Sequence, residues 1–377
     1  MPRWDVDFAA AYVELTSREV MELVARVNAL TWMVGQIPLP PDLRQRLNRL
    51  NIVRAVRGTT GIEGSDLSEE EVGRVVDADA TGQFVLGEPR RRLELEARNA
   101  NHVMAYIRET IQSDEAHLLT ERDVREIHRL TTAGIDYRSN EPGVYRRHDV
   151  SAGDYTAPSW QQVDDLMDRF FEWFPRTAAE LRWPECVRAI AAHFYLISIH
   201  PFGDGNGRTS RGVESLILYR AGVNSLGFFS LANFYYQERS TYEELLDRTR
   251  FVHHGDLTEL VTFALGGLVS ELEAVHREAL EGLRQVAFRD YAREILQGDP
   301  GQSASVADRR LQLTLQALRA PIQVSEIRRR THPVGALYRG TSRTLTRDLN
   351  YLEGRGLLKV EGGVISANLA ILDQFTE

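Results

Sequence analysis

Along most of the chain, apolar residues recur every three or four positions, the period of a helix with one buried stripe. Residues 7–100 read as several amphipathic helices, broken at QIPLPPD and at GTTGIEGSD. RRRLELEARNANHVMAYIRETI predicts one long helix, and TERDVREIHRLTTAGI another with Thr120 as its N-cap. The period fails over residues 140–160, NEPGVYRRHDVSAGDYTAPSW. There Pro142, Gly143, Gly153 and Pro158 bracket VYRRHDV, which predicts a short strand in a hairpin. WQQVDDLMDRFFEWF resumes the helical spacing. PECVRAIAAHFYLISI is apolar on nearly every face, the mark of a buried central helix, with Pro184 suited to its first turn. That helix must stop near His200, because Pro201 disfavours helical geometry in the residue before it. A further helical region covers 257–296, and QGDPGQSAS after it has the composition of a linker. Residues 306–377 read as a helix, a VSEIRRRT helix, a SRTLTRDLNYLEGRG helix, and LLKVEGGVISA as two strands around Gly362-Gly363. That is the order of a winged helix-turn-helix. The pattern thus predicts a mainly α protein with one short β-hairpin. It divides into an N-terminal helical region (1–100), a core (101–255), a helical connector and linker (256–304) and a small C-terminal domain (305–377).

Composition narrows the class. At 377 residues with 43% apolar content, the chain can bury more than one core. No apolar run approaches the ~20 residues that span a bilayer, and acids interrupt the first apolar stretch, so neither a membrane span nor a secretory signal is expected. The single cysteine, Cys186, excludes an internal disulfide and a cysteine-based zinc site. A cytoplasmic protein is the expectation. The net charge of −9 is uneven: residues 305–377 hold 11 Lys/Arg against 7 Asp/Glu, a net of +4. A basic tail on an acidic body points to different partners for the two parts. Lys359 is the only lysine, which fits the codon bias of a GC-rich genome.

The densest chemistry is IHPFGDGNGRTSR, residues 199–211. A buried helix delivers His200, the chain turns through Gly203, Gly205 and Gly207, and a new helix starts near Arg208. The first N–H groups of a helix lack intrahelical partners and its dipole favours negative charge, so a glycine turn leading into one suits phosphates. Arg208 and Arg211, three apart, project from one face of that first turn, and Asp204 is placed to hold a magnesium ion that bridges phosphates. A Walker loop would require a lysine that is absent, a dinucleotide fingerprint would require a preceding strand, and an EF-hand would require acids at positions held by Asn206, Arg208 and Ser215. A purely structural corner would explain the glycines but not a histidine, an acid, an asparagine and two arginines together.

HPFGDGNGRTSR resembles, without departure, the signature HPFx[D/E]GNGRxxR of Fic domains, and the likeness extends over roughly residues 100–255. The resemblance implies a Fic-type helical bundle and transfer of AMP from ATP to a Tyr, Ser or Thr hydroxyl of a target protein, with release of pyrophosphate. His200 would be the general base, Asp204 the Mg²⁺ ligand, and Gly205, Asn206 and Gly207 the cradle of the α- and β-phosphates. Arg208 and Arg211 would clamp the β- and γ-phosphates, and Phe202 would pack beneath the loop. Val144, Tyr145 and Arg146 would belong to the flap on which the target docks. Tyr235, Tyr236 and Tyr242 would border the adenine or else pack between helices.

TTGIEG, at 59–64, resembles the family's inhibitory pattern [S/T]xxxE[G/N], with Thr59, Glu63 and Gly64 in place. The resemblance implies that Glu63 pairs with Arg211, as a bidentate pair, and so blocks productive ATP binding. Gly64 also reads as an ordinary helix cap. Transfer of another phosphate-containing group, removal of AMP, self-modification and a homodimer stay open. So does a nucleotide-sensing transcriptional regulator. Arg328, Arg329, Arg330, Arg339, Arg343 and Arg347 cluster around the SRTLTRDLNYLEGRG helix, which suits either DNA or a protein partner. His193, His253 and His254 read as structural histidines, since no acid or third histidine stands at metal-ligand spacing.

Overall fold

Ser17 opens the first helix by accepting a hydrogen bond from the Val20 N–H, and α1 (Arg18–Gly35) buries Val20, Val27 and Val34 along one stripe. α2 (Pro41–Ile62) starts on Pro41, and α3 (Glu69–Ala78) on a capping box between Ser68 and Glu71. α4 (Arg91–Ser113) follows, then α5 (Glu121–Thr132), which Thr120 caps reciprocally with Asp123. The chain continues through α6 (Val163–Ala179), α7 (Glu185–Ile199), α8 (Asn206–Arg220), α9 (Ala232–Gln237), α10 (Arg239–Phe251) and the 40-residue α11 (Thr258–Gln297). The computed structural model describes residues 4–153, 155–223, 231–338 and 342–375. The chain forms two compact units, residues 1–277 and 278–377, and α11 gives residues to both.

In the first unit α8 lies at the centre, packed against α7, α5, α4 and α2. Nearly all of α7 is buried, as its apolar sequence predicts. The expected break within GTTGIEGSD comes later than the glycines suggest. α2 runs through Gly58 and Gly61 to Ile62, because these glycines serve close approach rather than chain reversal. A Cβ on Gly58 would stand 2.6 Å from the Ala232 carbonyl, and one on Gly61 2.5 Å from the Tyr236 ring. α2 ends instead at Ile62, with Glu63 as its C-cap. The Gly64 N–H bonds to the Gly61 carbonyl, the Ser65 N–H bonds to the Thr60 carbonyl, and Gly64 sits at φ 97. This is a complete Schellman cap.

The hairpin exists, but not at VYRRHDV. Its strands are β1 (Ser151–Ala152) and β2 (Tyr155–Thr156), paired Ser151↔Thr156 and Ala152↔Tyr155, with Gly153 at φ 56 in the turn. Residues 144–146 form no strand because their hydrogen bonds go elsewhere. The Arg146 N–H donates to the Pro201 carbonyl, and its buried guanidinium donates to the carbonyls of His200, His148 and Pro158. Among the described residues no helix is long and apolar enough to cross a membrane.

The second unit contains α12 (Ala304–Arg319), β3 (Ile322–Gln323), α13 (Val324–Arg329), a 3₁₀ turn (Pro333–Tyr338), α14 (Ser342–Gly354), β4 (Leu358–Glu361) and β5 (Val364–Ala367). Its antiparallel sheet has the order β3-β5-β4. β3, two residues long, is too short to show an alternating pattern in sequence. Arg339 lies outside the described residues.

Candidate active site

α7 ends at His200, which caps the helix at φ 55, a left-handed conformation that costs a residue with a Cβ about 1–3 kcal/mol. Two contacts hold it there. Its Nδ1 lies 3.0 Å from the Ile197 carbonyl, and its own carbonyl accepts from Arg146 Nε at 2.7 Å. A carbonyl can only accept, so Nδ1 carries the proton and Nε2 keeps its lone pair. Burial, helped by the nearby Arg250 and Arg146 cations, pushes the imidazole down to about 4. At neutral pH it is therefore a free base. Arg250 is itself buried, where Ser198 and Asp247 accept its hydrogen bonds.

Beyond His200 the chain makes a tight turn clamped from α5 and the segment after it. Gly205 sits at φ 72, and a Cβ there would come 2.8 Å from Thr132 Cγ2. The Asn206 side chain bonds in both directions to the Phe202 backbone, accepting from its N–H and donating to its carbonyl, each at 2.9 Å. Phe202 is fully buried and stacks on His128, with ring centroids 3.7 Å apart. His128 accepts from the Gly143 N–H and donates from Nε2 to the Asp204 carbonyl, while Asn140 Oδ1 accepts from the Asp204 N–H. The first hydrogen bond of α8 runs from the Thr209 N–H to the Gly205 carbonyl. The N–H groups of Asn206, Gly207 and Arg208 thus have no intrahelical partner and form an anion nest.

Two arginines and one glutamate surround that nest. Arg208 Nη2 donates to the Tyr137 hydroxyl at 2.7 Å and lies 3.5 Å from Asp204 Oδ1, and Nη1 lies 3.9 Å from Glu96 Oε1. Its buried Nε makes no hydrogen bond. Arg211, 1% exposed, donates Nε to the Thr59 hydroxyl and Nη2 both to the Thr59 carbonyl and, at 2.6 Å, to Glu63 Oε1. The predicted two-point pairing of Arg211 with Glu63 is therefore a single contact, because Thr59 takes the Nε edge of the guanidinium. A Cβ on Gly207 would collide with Glu63 Oε1, so the missing side chain lets the carboxylate stand against the nest. Burial opposes ionisation of Glu63, but the Arg211 and Arg208 charges outweigh it and hold the carboxyl below its usual range. Asp204, half-exposed beside the turn, is shifted the other way, raised chiefly by burial.

One turn thus brings together His200, Asp204, Gly205, Asn206, Gly207, Arg208, Arg211 and Glu63, with Tyr145 and Arg146 packed beside it and Val144 exposed. Tyr235 and Tyr242 are buried and stacked on each other. Tyr235 donates to Glu214, and Tyr242 bonds to His193, whose other nitrogen meets Glu214. Tyr236 is half-buried against Gly61 and under the Arg57 guanidinium. His128, Tyr137, Asn140 and Arg250 escaped the sequence reading. They act from other elements, and no spacing within the motif points to them. Among the described residues, no group of three or more His, Cys, Asp or Glu could hold a metal ion by itself.

Comparison with known proteins agrees with this geometry. Residues 118–218 match the Fic/DOC family. The chain is 31% identical over 179 residues to the protein adenylyltransferase Fic of Aedes aegypti, covering 47% of this chain and 34% of that protein. It is likewise 31% identical over 169 residues to the Nematostella vectensis protein of the same name, covering 45% and 36%. The chain therefore spans about a third of the length of these relatives. In structure it is similar to a Fic family protein from Desulfovibrio desulfuricans G20 (TM-score 0.55, 21% identity, 98% of both chains). It is also similar to a Fic domain containing signaling protein from Bacteroides thetaiotaomicron (TM-score 0.55, 21% identity, 69% of this chain and 97% of that one). The turn after His200 and the helices that clamp it belong to a domain of the Fic/DOC family, carried by this chain over residues 118–218.

Proposed function

We propose that this chain transfers AMP from ATP to a hydroxyl group of a target protein, and that Glu63 holds it in an inhibited state. The observation that carries the reading is a neutral imidazole with a free Nε2, placed at the mouth of an anion nest flanked by two arginines. The target oxygen bonds to the α-phosphorus while the bond from that phosphorus to the α,β-bridging oxygen breaks. His200 Nε2 takes the hydroxyl proton, and the electron pair leaves with pyrophosphate. The Asn206–Arg208 N–H groups and the Arg208 and Arg211 guanidiniums hold the phosphates and offset the charge that develops. Asp204 fits a magnesium ion: one accessible carboxylate, completed by phosphate oxygens and water, is an ordinary donor set, and a cation would relieve the burial that raises its pKa. Magnesium there would neutralise phosphate charge.

An extended target segment would add to the exposed edge at Ser151–Ala152, a mode of docking that reads backbone more than side chains. Of the three tyrosines, only the half-buried Tyr236 would border the adenine, while the buried Tyr235 and Tyr242 would support Arg211 from behind. A cytoplasmic site fits an ATP-consuming chain with one cysteine. The C-terminal unit reads as a winged helix.

The brake is competitive electrostatics. Glu63 takes one Arg211 donor and sets a carboxylate against the nest, so an incoming γ-phosphate must displace it. Incubation with magnesium and ATP labelled at either the α- or the γ-phosphate tests the reaction. Glu63→Gly should incorporate α-label at least tenfold faster than the parent chain and take up no γ-label. In that background His200→Ala should lower incorporation about 10²–10⁴-fold, the usual worth of a general base. Uptake of γ-label would make the chain a kinase, and equal labelling with and without Glu63 would remove the brake.

A further inference from the structure

We propose that the C-terminal unit binds duplex DNA by laying α14 in a major groove. The argument begins at a buried carboxylate. Asp348 is completely buried on α14, where it accepts from Arg309 Nε at 2.8 Å, Arg310 Nε at 2.9 Å and the Tyr338 hydroxyl at 3.3 Å. Together with Leu345, Leu349 and Leu352, which point into the core, this fixes the rotation of α14 about its axis. The opposite face then presents Arg343, Thr346, Arg347 and Asn350, all exposed and spaced as one helical stripe.

That stripe is unlike other arginine-bearing helix surfaces of the chain. Elsewhere an exposed arginine commonly has an acid one turn away, as in Arg18–Glu22, Arg125–Glu121, Arg176–Glu180 and Arg239–Glu243. Among the described residues neither Arg343 nor Arg347 makes an ion pair; the nearest acid along the stripe is Glu353, one turn beyond Asn350, whose carboxylate accepts from the Val360 N–H. The surface continues beyond α14. An open groove of about 590 Å³ is lined by Arg328 and Arg329 of α13, Thr346 and Asn350 of α14, and Gly362 and Gly363 of the β4–β5 turn, with Glu353 its one acid and Val324, Leu349 and Val360 its apolar residues. Lys359 is exposed on β4.

An exposed helix face with unpaired arginines and no exposed large apolar side chain matches a polyanion better than a protein surface, whose binding energy would come from buried aromatic or aliphatic groups. The residue types favour DNA in particular. Arginine pairs with guanine O6 and N7, asparagine pairs with adenine N6 and N7, and the B-form major groove admits a helix. Duplex RNA hides the same edges in a groove too narrow for one. Arg328, Arg329 and Lys359 are placed as phosphate contacts.

The test uses the full chain and a fluorescent mixed-sequence DNA duplex, followed by anisotropy from about 50 to about 200 mM NaCl, with duplex RNA and polyglutamate as further arms. Saturable DNA binding should weaken as salt rises. Arg343→Ala/Arg347→Ala should weaken it at least tenfold at low salt and reduce the log–log salt slope by about 2, one released counterion per lost contact. Asn350→Asp, which adds a negative charge to the same face without touching the core, should weaken it too. Arg18→Ala/Arg176→Ala should leave binding unchanged. No DNA binding at about 50 mM salt, or equal binding by the double variant, overturns the proposal. RNA or polyglutamate competing as well as DNA would reduce the groove to a general charged surface and overturn it as well.

Discussion

His200 shows how one residue is prepared by its surroundings. An imidazole in water is half-protonated near 6.5, whereas burial and two arginines hold this one at about 4. The acid limb of the activity profile should follow the shifted value. In the Glu63→Gly chain, which lacks a carboxylate that would raise the pKa, AMP incorporation should stay level from about pH 8 to about 5.5 and fall only as pH approaches 4. A half-maximum near 6.5 would mean that the pocket does not desolvate the base. His128 carries the same shift into stability, being fully buried and likewise pushed down to about 4. Above 6.5 it is neutral in both states and contributes no pH dependence. Below 6.5 the unfolded chain binds a proton that the native chain refuses, so stability drops across the window from 6.5 to 4 by about 3 kcal/mol in full. Urea midpoints measured between pH 7 and pH 4.5 should therefore flatten in His128→Gln relative to the parent.

At the scale of the element, α2 is the part that positions Glu63, the proposed brake. Its C-terminal cap aims Glu63, and its two glycines let it lie directly on α9. Gly61→Ala should force the Tyr236 ring and the helix apart, cost about 1–3 kcal/mol, and raise basal AMP incorporation several-fold toward the Glu63→Gly level. Loss of stability with unchanged incorporation would show that this contact does not set Glu63. The glycines also mark where pattern reading fails. GTTGIEGSD looks like a break because glycine is a poor helix former, and only the neighbouring backbone of α9 explains Gly58 inside a helix. VYRRHDV failed for a related reason. Its alternation suits a strand, but Arg146 spends its hydrogen bonds on the carbonyls around His200, and that is not written in the local pattern. By contrast, that His200, Asp204, Arg208 and Arg211 meet at one turn was legible, because they sit within thirteen consecutive residues. His128, Tyr137 and Asn140, which hold that stretch in shape, were not, because they belong to other parts of the chain.

At the scale of the molecule, the chain is two units with separate cores. All five tryptophans (Trp4, Trp32, Trp160, Trp173 and Trp183) fall in the first, so tryptophan fluorescence follows that unit alone. Asp348→Ala would leave the Arg309 and Arg310 charges without their buried partner, at a cost of about 3–5 kcal/mol to the second unit. Urea titration should then show the tryptophan transition unmoved and a new, earlier transition in far-ultraviolet dichroism. A tryptophan transition that moves with it would mean that the two cores unfold as one.

The central claim is that the turn after His200 brings the α-phosphate of ATP to an incoming hydroxyl, with Glu63 as the obstacle. Intact-protein mass spectrometry tests it most directly, with the parent chain, Glu63→Gly and Glu63→Gly/His200→Ala each incubated with ATP and magnesium. The account predicts an added AMP on Glu63→Gly or on a protein supplied in lysate, much less with the parent, and about 10²–10⁴-fold slower addition with the double variant. An AMP adduct that forms as fast without His200 as with it, or no adduct from any of the three, would contradict it.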